Sequence, residues 1–153
     1  EITLGLALGG LTRGIIVGLA TAAAIWVFVP LHLTHVWAMV FYATMASLML
    51  AQLGVVAGIY AEKFDHMAAV TNFIITPLAF LSGTFYSTER LPDFGRFLAH
   101  LNPFFYMIDG FRYGLIGHAD GSLWLGAVTL IAVNLALLVA NYLSFERGSR
   151  MKP

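Results

Sequence analysis

The chain contains no cysteine, which excludes disulfides, thiolate metal sites and cysteine nucleophiles and leaves the redox compartment open. Charge is equally scarce. Only 10% of the 153 residues are Asp, Glu, Lys or Arg, against roughly 25% in soluble domains. Acids and bases number 8 each and cancel to a formal net charge of +0, so no overall field draws in nucleic acid. The only lysines, Lys63 and Lys152, follow Glu62 and Met151. A phosphate-binding loop of the form G-x4-G-K-[ST] needs Gly-Lys, so the chain cannot hold ATP in that way. No internal repeat or low-complexity tract is present. No basic stretch followed by a short apolar core opens the chain, and its first residue is Glu1 rather than methionine; the expectation is a fragment of a longer protein.

What is there is apolar. Hydrophobic residues make up 59% of the chain and the mean hydropathy is +0.83, the composition of a membrane protein. A crossing helix needs about 20 largely apolar residues, and four stretches provide them, at about 14–33, 36–60, 67–86 and 123–143. The third contains Pro77, which removes one backbone donor from the helix interior and predicts a kink there. Glycines recur at four-residue spacing in Gly10, Gly14 and Gly18 and again in Gly54 and Gly58, a pattern that lets helix backbones approach closely in lipid. The fold expected is an all-α membrane bundle forming a single transmembrane domain over 1–153.

Four crossings put both termini on one side. Arg13, Lys63, Arg147, Arg150 and Lys152 fall on that side and Arg90, Arg96 and Arg112 on the other, so the termini are expected to be cytoplasmic. Between the third and fourth crossings, Leu91, Phe94, Leu98 and Leu101 recur at spacings of three and four, predicting a short amphipathic helix along the interface. Asn102 then serves as an N-cap and Pro103 as a first helical residue. A second helix starts there, and the two form a re-entrant or interfacial hairpin over about 90–117 on the external face. Asp109 and Arg112, three apart, can pair on one side of that second helix.

The run "NFIITPLAFLSGTFYSTERLPDFGRFLAHLNPFFYMIDGFRYGLIG", Asn72 to Gly117, resembles the permease subunits of type-2 ABC transporters, the bacterial class that includes drug and oligosaccharide exporters. It carries, in order, a proline-bearing span, Ser-Gly-x-Phe-Tyr, Leu-Pro, Asn-Pro and Gly-Phe-Arg. "LGGLTRGIIVG" at Leu8 to Gly18 and "AEKFDHMAAVTNF" at Ala61 to Phe73 extend the resemblance over nearly the whole chain. It implies six helices per subunit, of which the third to sixth are present here. It further implies a dimer of permeases with the pathway between them and a hairpin capping its outer vestibule. A separate cytoplasmic ATPase would hold ATP and magnesium, with no cofactor bound by the permease itself, and the setting would be the bacterial inner membrane.

Within that resemblance the polar turn Glu62, Lys63, Asp65 and His66 is expected to couple to the ATPase, the plainer reading being a solvated turn. Asn72, Phe73, Pro77, Phe80, Phe85, Tyr86, Phe105, Asp109 and Arg112 are expected to line the pathway or an external gate. Phe104 and Tyr106 belong to the same aromatic concentration, which lipid anchoring also explains in part. For Asp109 and Arg112 the alternative is holding the hairpin in one geometry. His32 and His35 have a spacing that two metal ligands use, but no third ligand stands nearby in sequence and no metal site is expected. Arg13 reads as a residue snorkelling at the boundary. Asn134 and Asn141 read as hydrogen-bonding between helices. The expected function is a permease that moves a small molecule, lipid or glycan outward with ATPase subunits, a second copy, lipid and cargo as partners. The alternative is a membrane scaffold with no pathway.

Overall fold

The computed structural model describes residues 2–28, 33–60, 64–82 and 92–146, and every regular element in them is helical. In order these are α1 (Ile2–Phe28), α2 (Val36–Tyr60), α3 (Phe64–Val70), a π-helical turn (Thr71–Ile75), α4 (Thr76–Leu81), α5 (Asp93–Leu101), α6 (Pro103–Ile116) and α7 (Leu123–Glu146). Of the residues singled out above, His32, Glu62, Lys63, Phe85, Tyr86, Arg90, Leu91, Arg147, Arg150 and Lys152 lie outside the described residues, as does the side chain of His66.

Three helices carry apolar runs of 24 residues: Gly5–Phe28, Val36–Ile59 and Leu123–Glu146. At roughly 1.5 Å per residue each extends about 36 Å, enough to cross a hydrocarbon core of about 30 Å. Of the four expected crossings, three are helices of crossing length among the described residues; the stretch expected at 67–86 holds a shorter apolar helix, Ala68–Leu81. The outer part of the stretch predicted at 67–86 lies outside the described residues. The first helix also starts well ahead of the expected Gly14, because Ile2 to Leu11 is apolar and its glycines do not break a helix that neighbours and lipid support.

Pro77 accounts for the irregularity in the shorter helix. A proline ring clashes with the carbonyl four residues back, and a widened turn just before it relieves that crowding. The backbone N–H of Thr76 reaches the Thr71 carbonyl, five residues back, and the Thr76 hydroxyl donates to the same oxygen at 2.9 Å. The expected disturbance thus takes the form of a π turn. The helix ends at Ser82, whose N–H and hydroxyl both turn back to the Ala79 carbonyl.

α2 is the central helix, touched by α1, α6 and α7. On the α1 side Gly10 lies against Ala51 and Gly14 against Ser47, where an added β-carbon would stand 2.7 Å from Ser47 Cβ. Gly18, Gly54 and Gly58 have no such neighbour within 4 Å, so among the described residues the four-residue glycine pattern is a packed seam at Gly10 and Gly14 alone. The core proper is built around Tyr42 and Met49 of α2, Phe104, Phe105 and Tyr106 of α6, and Leu130 of α7.

Polar side chains tie α2 to α7. Asn134 Oδ1 accepts from Gln52 Nε2 at 3.0 Å, and Asn134 Nδ2 donates to the carbonyls of Met45 at 3.2 Å and Leu130 at 2.9 Å. Asn141 Nδ2 donates to the Gln52 carbonyl at 3.2 Å. All three side chains are buried, which is the interhelical role expected of the two asparagines; their partner is Gln52 of α2, which no sequence pattern singles out. Asn134→Leu is expected to cost about 1 kcal/mol, the usual worth of such bonds in lipid, read as a lower midpoint of unfolding in mixed detergent micelles. An unchanged midpoint would show the zipper to be inert.

Candidate functional site

The site is the end of the bundle where α4, the α5–α6 hairpin and the loop before α7 meet. α5 is strongly amphipathic. Phe94, Phe97, Leu98 and Leu101 form its apolar face and are exposed, while Asp93 opens its first turn and His100 closes its last. Those placements suit the helix dipole. His100 packs edge-on against Phe105, with ring centroids 4.9 Å apart.

Asn102 hinges the hairpin. Its backbone is extended, with φ −88 and ψ 116, which breaks the helix before Pro103 supplies a preset φ for the next one. The side-chain oxygen accepts from the Phe104 N–H at 3.0 Å, the expected N-cap. Its amide also donates to the Leu78 carbonyl at 2.6 Å. That carbonyl lies in the last turn of α4, where helix ends leave acceptors without partners. One buried side chain thereby caps the start of α6 and fastens it to the end of α4.

Asp109 is 3% exposed. Its Oδ1 accepts from Arg112 at 2.6 Å and from the Asp120 N–H at 2.8 Å, and its Oδ2 accepts from the Gly121 N–H at 2.9 Å. Arg112 also reaches Asp120 Oδ2 at 2.9 Å, and Asp120 Oδ1 lies 3.3 Å from His118 Nε2. The guanidinium pKa is moved by burial, which lowers it, and by the bonds to Asp120 and Asp109, which outweigh burial and raise it. Arg112 therefore stays charged at any working pH. Sequence spacing pairs Asp109 with Arg112; the third charge, Asp120, and the loop backbone they hold together are separated by too many residues for a helical wheel to show.

The far end of α6 is equally well anchored. Gly117 caps it at φ 78, donating to the Tyr113 carbonyl at 2.8 Å, the left-handed geometry that glycine adopts without strain. The N–H groups of Thr34 and His35 both donate to the Gly114 carbonyl, at 3.1 and 3.0 Å, and the Thr34 hydroxyl to that of Leu115 at 3.0 Å. The α1–α2 connection thus satisfies the last carbonyls of α6. His35, one of the two histidines weighed as a ligand, stacks on Tyr113 with centroids 4.5 Å apart.

The pathway set separates into two groups. Asn72, Phe73, Pro77 and Phe80 lie on the surface of the π turn and α4, with Phe73 80% and Phe80 54% exposed. Phe105, 1% exposed, sits in the core, and Asp109 and Arg112 are engaged with the loop before α7. Asp65 is exposed in the first turn of α3.

Residues 1–116 match the family model for the ABC-2 type transporter. The inner membrane transport permease YadH of Escherichia coli K12 is 41% identical over 136 residues, which cover 88% of this chain and 51% of that protein. Nodulation protein J of Neorhizobium galegae is 32% identical over 91 residues, 58% of this chain and 35% of that protein. No solved structure matches the chain. The chain spans about half the length of the curated relatives it matches. Three helices of membrane-crossing length and a match over most of its residues place it, as a membrane-spanning transport permease domain, in the ABC-2 type transporter family.

Proposed function

We propose that this chain forms part of the wall of a translocation pathway in the bacterial inner membrane, on the exposed face of the π turn and α4, and that a separate ATPase drives export along it. The observation that carries the reading is the exposure of Asn72 and Thr76 beside Phe73 and Phe80. A polar amide directed at hydrocarbon is costly and is at home against protein or a water-filled cavity. A second copy of the permease facing this surface meets that demand. The aromatic side chains offer amphipathic cargo a face on which its apolar part slides while Asn72 and Thr76 take up its polar part.

In this reading the Asp109, Arg112 and Asp120 cluster holds the hairpin as a rigid cap at the outer end of the pathway. At the opposite end the turn Glu62 to His66 receives the ATPase. α3 begins within that stretch, at Phe64, and runs without a loop into the π turn and α4, so a push at Asp65 is delivered along one continuous helix. An Asp65→Cys variant of the intact permease is expected to cross-link to a cysteine on the partner ATPase, with a yield that changes on ATP addition. No cross-link in a complex that still transports would remove the turn from the coupling path.

A further inference from the structure

Behind the helix that carries Asn72 lies a cavity of about 470 Å³, walled by Met49, Leu53 and Ala57 of α2, Leu78 of α4, and Val133 and Leu137 of α7. Every side chain lining it is apolar. Water needs two to four polar partners and leaves such spaces dry, while an empty space of this size forfeits dispersion contact along all its walls. Hydrocarbon is the filling that the lining accepts.

The shape narrows the choice. From Met49 to Ala57 the slot follows α2 for about 12 Å at the helical rise of roughly 1.5 Å per residue, along a helix that crosses the membrane. It therefore stands upright, parallel to the lipid tails, and ends against Pro103 and Phe104 of α6. It is not sealed. Ile74, one of its lining residues, is 54% exposed, so the lining runs out onto the surface of the bundle. The slot is thus continuous with the apolar surface that the bundle turns to the bilayer.

We propose that one acyl chain of a bilayer phospholipid occupies this slot, standing between the helix of residues 64–82 and the α2–α7 pair. Near its end that helix is held by the bond from Asn102 to the Leu78 carbonyl; along the slot its inner face packs on the lipid tail. The proposal requires membrane insertion and does not depend on the pathway reading.

The test uses the intact permease in nanodiscs of phospholipid with brominated acyl chains, with every native tryptophan, Trp26, Trp37 and Trp124 among them, replaced by phenylalanine and a single reporter at Leu53→Trp. Bromolipid is expected to quench this reporter at least half as strongly as a lipid-facing Leu135→Trp control. Adding Ala57→Phe, which fills the slot, is expected to cut that quenching by at least half. Val133→Trp serves as reporter from the opposite wall if Leu53→Trp does not fold. A reporter untouched by bromolipid would mean that protein closes the slot, and one quenched instead by aqueous iodide would mean that water fills it. Either result overturns the proposal, and since the readout is quenching, neither bears on transport.

Discussion

Gly114→Ala is expected to destabilise the folded chain by about 3 kcal/mol or more, the upper end of what overpacking costs. A β-carbon at this position would stand 2.6 Å from the backbone nitrogen of Met39 and 2.8 Å from its Cα. Backbone inside a membrane-crossing helix cannot swing aside, so α6 has to lift away from α2. Lifting it also pulls the Gly114 carbonyl from the two N–H groups of Thr34 and His35 that it serves. Gly110, one turn earlier, abuts the ring of Tyr42, whose hydroxyl is fixed on the Leu123 carbonyl at 2.6 Å; Gly110→Ala should follow closely. By contrast, Gly18 and Gly58 meet nothing within 4 Å, and alanine there should be neutral or stabilise by up to about 1 kcal/mol through helix propensity. Thermal unfolding of the four variants in detergent gives the ranking. Equal midpoints for Gly114→Ala and Gly18→Ala would mean that α6 does not pack on α2 as described.

Asp109→Ala is the second large effect expected, about 3 kcal/mol, within the range for breaking a buried ion pair by removing one partner. The substitution strips acceptors from Arg112 and from the N–H groups of Asp120 and Gly121, and donors left unsatisfied when buried carry most of the cost. Asp109→Asn should fall between, since one amide oxygen cannot serve both backbone donors. The measurement is again the unfolding midpoint, together with protease sensitivity of the loop between α6 and α7, which should rise. The two readings of the Asp109–Arg112 pair diverge here. A variant with native stability and an intact loop but altered transport would make the pair a gate rather than a clamp.

The elements most legible in sequence were those whose causes are local. Asn102 followed by Pro103 announces a helix start because an N-cap and a preset φ act over three residues, and the spacing of Phe94, Leu98 and Leu101 reports one face of a helix of period 3.6. The apolar runs of α1, α2 and α7 announce crossings by composition alone. What the sequence did not disclose is long-range. The second bond of Asn102 runs to Leu78, Asp109 meets Asp120 across a turn, and Gln52 finds Asn134 on another helix; none of these pairings leaves a periodic trace. Phe105 illustrates the same limit. It stands in an aromatic run that looks uniform in sequence, yet the rotation of α6 on α2 buries Phe105 beside Tyr106, whereas Phe73 and Phe80 stay on the surface. The π turn was legible only as a proline disturbance, because whether a helix kinks or widens ahead of a proline depends on the space around it.

The central claim is that the Asn72 face of the π turn and α4 borders a water-filled pathway operated by a partner ATPase. Cysteine labelling along residues 71–81 tests it most directly, and this part of the permease has no native cysteine to interfere. With the intact permease in membrane vesicles beside its ATPase, Asn72→Cys, Thr76→Cys and Phe80→Cys are predicted to react with a charged, water-soluble thiol reagent, at rates that change during ATP hydrolysis. Ile75→Cys and Leu78→Cys, on the inner face, are predicted to stay protected. Uniform protection of all five, with or without ATP, would contradict the account and leave a membrane scaffold in its place.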